Sequence, residues 1–159
     1  MFWRKVTPSK IAKEISMIEV LLAASRARLD VALNIRKDRK MYLEYFYKVS
    51  IPSAMVGLPL TPLAMSNMFV NDTFITMKKV LKKLKKVISM LLQAKMIDPS
   101  TAQDLIESIE RVHERMKIAD SMPIDRGIEE LKSCINEILS ICSEVKSILA
   151  SRVELEVEL

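Results

Sequence analysis

Residues 77–91 read MKKVLKKLKKVISML, and this stretch decides the fold. Met77, Leu81, Leu84, Ile88 and Leu91 step by four, three, four and three, which is the seam of a helix packed along its length against another. Between them Lys78, Lys79, Lys82, Lys83, Lys85 and Lys86 place six ammonium groups within nine residues. At about 100° per residue they fan over roughly 160° of the helix, away from the seam. No acidic residue interrupts the fan.

Upstream, residues 49–71 carry no charge, and Pro52, Gly57, Pro59 and Pro62 punctuate their first part. Three prolines with Ser53, Thr61, Ser66 and Asn67 make a poor spanning helix, so the stretch reads as the connection at the end of a helical hairpin. The seam helix then covers about residues 63–96. An exposed alternative for the connection, in which Met55, Val56, Leu58, Leu60 and Leu63 form an apolar tip for a membrane or a partner, stays open. Before it, Thr7 as N-cap and Pro8 at the first helical position open a long helix striped by Ile11, Ile15, Ile18, Leu22 and Leu29. Helix signals run on through the aromatic cluster Tyr42, Tyr45, Phe46 and Tyr47, and Pro52 is expected to end them.

Downstream, Asp98 and Pro99 start a third helix, with Leu105, Ile109, Val112 and Met116 on its stripe, and Met122 and Pro123 stop it. A last helix carries Ile128, Leu131, Ile135, Ile138, Cys142, Val145 and Leu149. The end of the chain, residues 153–159, alternates apolar and acidic with period two, and a fraying helix end is favoured over an edge strand. The expected architecture is all-α, one domain over 1–159: a leader (1–10), a long basic two-helix hairpin (11–96) and shorter acidic helices (97–159), in a four-helix bundle-like fold.

Composition narrows the chemistry. Two glycines in 159 residues, Gly57 and Gly127, cannot write a Gly-rich phosphate loop, and a turn-rich β-sandwich needs more turn residues. Eleven methionines suit adaptable core filling. Residues 1–96 hold 18 Lys/Arg against 6 Asp/Glu, whereas residues 97–159 hold 7 against 14. Such a division suits a basic part that meets an anionic surface and an acidic part that folds back on it or faces a neighbouring subunit.

No catalytic constellation emerges. Glu110 and His113 have the spacing of a di-iron ligand pair, but His113 is the sole histidine and a second such pair cannot be built. A helical zinc protease motif would need a ligand where Lys117 stands. Cys134 and Cys142, eight residues apart on one helix, sit about 12 Å apart and cannot pair, and each lies on an apolar face suited to an inert thiol. With no secretory signal, a reducing intracellular setting is expected, with no cofactor, no metal and no enzymatic activity.

The lysine face therefore carries the functional reading. It can neutralise phosphates of nucleic acid without reading sequence, since no Asn, Gln or Arg is interleaved for base edges. It can equally attract anionic lipid head groups. Phe2 and Trp3 beside Arg4 and Lys5 combine interfacial aromatics with cations, as a shallow bilayer anchor does, and favour the membrane.

An apolar leader (Met1, Phe2, Trp3), a long basic hairpin and shorter helices of opposing charge resemble the ESCRT-III family, archaeal cell-division (Cdv) members included. The resemblance implies a cytoplasmic subunit, peripheral at acidic membranes, that self-assembles into filaments, remodels or cuts membrane necks, and is disassembled by an AAA ATPase. By position, Phe2 and Trp3 would insert in lipid, Lys78 to Lys86 would lie on the basic hairpin face, and Leu149, Arg152 and Val153 would contribute to ATPase docking. A nucleic-acid coat or chromatin-like protein, or an adaptor bundle, are the alternatives.

Overall fold

Three of the long helices begin on the same device. Thr7, Thr61 and Asp98 each accept a hydrogen bond from the backbone N–H three residues on, at 3.3, 3.1 and 2.8 Å, and each is followed by proline at the first helical position. A computed structural model describes residues 7–58 and 60–157, with side chains as far as Ser151. The described residues form α1 (Pro8–Lys37), α2 (Arg39–Tyr45), a π-helical turn (Phe46–Ser50), α3 (Ile51–Met55), α4 (Pro62–Gln93), α5 (Pro99–Ser121) and α6 (Ile124–Val157), with no strand among them. The fold is an all-α bundle.

Helix α1 packs most extensively on α4; α4 then meets α5, α5 meets α6, and α6 closes back on α1. Short connections make neighbours antiparallel. The register of α1 on α4 is fixed where Ser66 Oγ donates to the Ala32 carbonyl at 2.9 Å. One continuous core runs through all four helices, and Ile15, Ile18, Leu84, Ile88, Ile109 and Ile138 are fully enclosed in it. The Met77–Leu91 seam is buried as its spacing predicts.

Glycine fixes one close approach. A Cβ on Gly127 would lie 2.8 Å from the Ala119 carbonyl oxygen, so the start of α6 touches the backbone of α5 only because this residue has no side chain. Lower on the same pair, Arg115 donates from Nε to Glu130 at 2.8 Å and from Nη2 to Ser133 Oγ at 2.9 Å, and also binds Glu137, pinning α5 to α6.

Three expectations are corrected. The first helix does not run to Pro52: it breaks at Asp38, whose extended backbone ends α1 and whose carboxylate caps α2 by accepting from the Lys40 and Met41 N–H groups. Pro52 instead sits in the first turn of α3. The wider π turn before it, where the Ile51 N–H reaches back to the Phe46 carbonyl, makes room for a ring that crowds an ordinary helical turn. Nor are both acidic helices shorter than the hairpin: α5, with 23 residues, is, but α6, with 34, is longer than α1 with 30 or α4 with 32. The apolar–acidic alternation near the C-terminus is helical through Val157.

The ends of α3 and α4 carry the same double hydrogen bond. After α3, Gly57 has φ 80°, with its N–H on the Ala54 carbonyl and that of Leu58 on Ser53. After α4 the same pattern, Lys95 to Leu92 and Met96 to Leu91, is made with a lysine at φ 56°.

Candidate functional site

Helix α4 presents its outer face to solvent because its opposite face is spent on the core. Lys78, Lys79, Lys82 and Lys86 are exposed and Lys83 and Lys85 are half-buried at the edges of the fan, as the helical period requires. No carboxylate lies within ion-pairing distance of any of the six among the described residues. Lys78 Nζ sits 4.8 Å from the centroid of the Phe74 ring, which orders that ammonium while leaving it uncompensated by charge.

The α5 side of the fan closes into a cleft of about 300 Å³ lined by Lys78, Leu81, Lys82, Lys85, Ile109 and His113. Its floor is apolar and its rim cationic. Lys85 and His113 also border the adjoining groove with Glu107, Glu110, Arg111, Glu114 and Arg115. The structure thus brings His113 to the lysines, and no three His, Cys, Asp or Glu side chains converge to hold a metal ion among the described residues.

The acidic half borders this face through α5, whose Glu107, Glu110 and Glu114 line the groove beside Lys85, but makes no ion pair with it among the described residues. Its ion pairs with the basic half run along α1: Asp125 with Arg36 at 3.1 Å, Lys132 with Asp30 at 2.7 Å and Lys146 with Glu19 at 2.5 Å, joined by Arg26 donating to Asn136 at 3.1 Å. In two of these three ion pairs the cation comes from the acidic half. The carboxylates Glu130 and Glu137 are held within that half by Arg115. The fold-back expected from the charge division is real as packing, but its ion pairs lie on another face.

Cys134 and Cys142 are buried, and burial pushes each thiol up to about 11, so neither is a thiolate nucleophile at neutral pH. Leu149, expected by position to help dock an ATPase, is buried in the core and closed to a partner in this arrangement. The side chains of Arg152 and Val153 lie outside the described residues, as do Phe2, Trp3, Arg4 and Lys5.

Sequence reasoning passed over Arg115. Its signal was present in the seven-residue spacing of Glu130 and Glu137, with Ser133 between, which puts three acceptors along one strip of α6. It also left open the state of the connection between α3 and α4, where Met55, Val56 and Leu58 are exposed. No helix among the described residues is long and apolar enough to cross a membrane. Comparison with protein-family models, with curated proteins and with solved structures finds no match to this chain.

Proposed function

We propose that this chain is a non-enzymatic, ESCRT-III-like protein that binds acidic membranes through the outer face of α4 and self-assembles there. The observation that carries the reading is that, among the described residues, none of Lys78, Lys79, Lys82, Lys83, Lys85 and Lys86 forms an ion pair with a carboxylate. An ammonium group near an anionic leaflet contributes about 1 kcal/mol, so several acting together suffice for stable adsorption. Ammonium groups already paired would have to break those pairs first.

Assembly on the surface requires the α1–α4 hairpin to meet its neighbours. The α1–α6 ion pairs are exposed enough to be individually weak, so it is the shared apolar core that holds the acidic half on the hairpin, and neighbours would meet the faces of α1 and α4 that the bundle leaves exposed. The test is co-sedimentation of the full chain with vesicles of phosphatidylcholine alone or mixed equally with phosphatidylglycerol, beside a DNA mobility shift at matched salt. Acidic vesicles should bring the protein down, and negative-stain microscopy should show ordered polymers on them. The triple substitution Lys78→Glu, Lys82→Glu, Lys85→Glu should weaken vesicle binding on the order of a hundredfold. DNA binding without lipid binding rejects the membrane in favour of a nucleic-acid coat; lipid binding without polymers rejects self-assembly.

A further inference from the structure

The cap that joins α1 to α4 breaks the rule by which the rest of the molecule is built. Met55 is 83% exposed, Val56 74% and Leu58 59%, and Leu63 and Tyr47 are exposed beside them in the chain. No charge occurs from residue 49 to residue 71. None of α2 or α3 is buried, and the intervening π turn buries only Ser50. Scattered exposed apolar residues are ordinary, but an uninterrupted charge-free run of them at one end of a bundle marks an interaction surface.

We propose that this cap is a membrane-insertion element, its apolar tip (Met55, Val56, Leu58) seated among the acyl chains of an anionic bilayer and its basic flank on the head groups. The proposal rests on the membrane reading of the α4 lysines and adds a second contact to it. Charge selects the occupant. Lys37, Arg39 and Lys40 border the cap and form no ion pair among the described residues: Arg36 takes Asp125, Asp38 is turned to the backbone of α2, and Glu44 is taken by Lys48, though it lies within electrostatic reach of Lys40, and Lys37 shares a groove with Glu129 and Glu130. Two copies meeting cap to cap would bring these cations together, whereas an anionic leaflet neutralises them. Tyr42, Tyr45 and Tyr47 lie between the cations and the tip in sequence, the residue type that favours the head-group level. With no helix among the described residues able to span, the insertion is shallow.

The outer face of α4 joins the two contacts. Met68, Ile75 and Lys82 step by seven, as do Lys79 and Lys86, so one exposed strip passes from apolar near the cap to cationic further on. Lys78 follows Pro62 by about 24 Å along the axis. Asp72 is the one acid on α4. A molecule lying along a bilayer can use cap and lysines together.

The test labels Met55→Cys in the full chain with an environment-sensitive fluorophore; the buried Cys134 and Cys142 leave residue 55 as the reactive thiol. With equal phosphatidylcholine and phosphatidylglycerol, emission should shift to the blue and be quenched by nitroxide lipids. Phosphatidylcholine alone should leave it unchanged. The pair Val56→Asp with Leu58→Asp should cut vesicle co-flotation at least tenfold while leaving the thermal midpoint in place. A label that stays in water while the protein binds acidic vesicles overturns the inference, and if Lys78→Glu, Lys82→Glu, Lys85→Glu then abolishes binding, the lysine reading stands without it. A concentration-dependent blue shift without vesicles, accompanied by dimers on sedimentation, assigns the cap to a second copy and also overturns it. No binding to either vesicle removes both readings.

Discussion

Leu84 and Met55 are large apolar side chains on helices of one chain, yet the first is wholly enclosed and the second is 83% exposed. In the four-helix body the main stripes of three- and four-residue spacing turn inward, and the large apolar residues left outside, such as Val20 and Ile118, are scattered among polar ones. The cap obeys no such rule. Its apolar residues add nothing to the core, so their presence is explained by something outside the chain or by nothing at all. Burial accounts for the body and leaves the cap and the lysine face as the two surfaces where function has to be sought.

The largest expected effect tests that contrast directly. Leu84→Ala should lower unfolding free energy by about 2–5 kcal/mol, because it leaves a cavity at the centre of the seam, whereas Met55→Ala should stay within about 0.5 kcal/mol of the parent in urea titration. A comparable loss at Met55 would show that the cap is packed, and the contrast would fail. Next, Gly127→Ala should cost about 1–3 kcal/mol despite alanine's better helix propensity, since the colliding atom is the Ala119 carbonyl oxygen and backbone cannot swing aside. Thermal melts of the purified variant would read it.

Within the body, Lys95→Gly should raise stability by up to about 1 kcal/mol by relieving a left-handed backbone that lysine tolerates poorly. The last effect is absent at neutral pH and confined to alkaline solution. Both thiols are raised by burial to about 11, so between the ordinary thiol range and that value the unfolded chain has lost protons that the folded chain keeps. Stability should therefore fall as pH rises through this window, and Cys134→Ala with Cys142→Ala should flatten the slope. A label at Met55→Cys, by contrast, should react at neutral pH without unfolding.

Much of the body was legible locally. The Met77–Leu91 seam, the Thr7–Pro8 start and the Asp98–Pro99 start are decided within a few residues of themselves, and the structure places each where the spacing said. The break at Asp38 was not legible, because Arg36, Lys37, Arg39 and Lys40 around it are good helix formers and only the turning of one short carboxylate to the Lys40 and Met41 N–H groups ends α1 there. Pro52 was misread for a related reason: a π turn one step earlier admits the proline into a helix.

The amino-acid order by itself determined the helices, the buried stripes and the fan of six lysines, since helical periodicity is a property of neighbours in the chain. Only the tertiary structure decided what those lysines face. Net charges of the two halves suggested mutual neutralisation, but ion pairs form between individual groups brought to within a few ångströms. The bundle brings Lys132 and Lys146, cations of the acidic half, to Asp30 and Glu19, acids of the basic half, and leaves the lysine face of α4 without an ion pair among the described residues. Charge totals are sums over sequence, whereas pairing depends on which helix lies beside which.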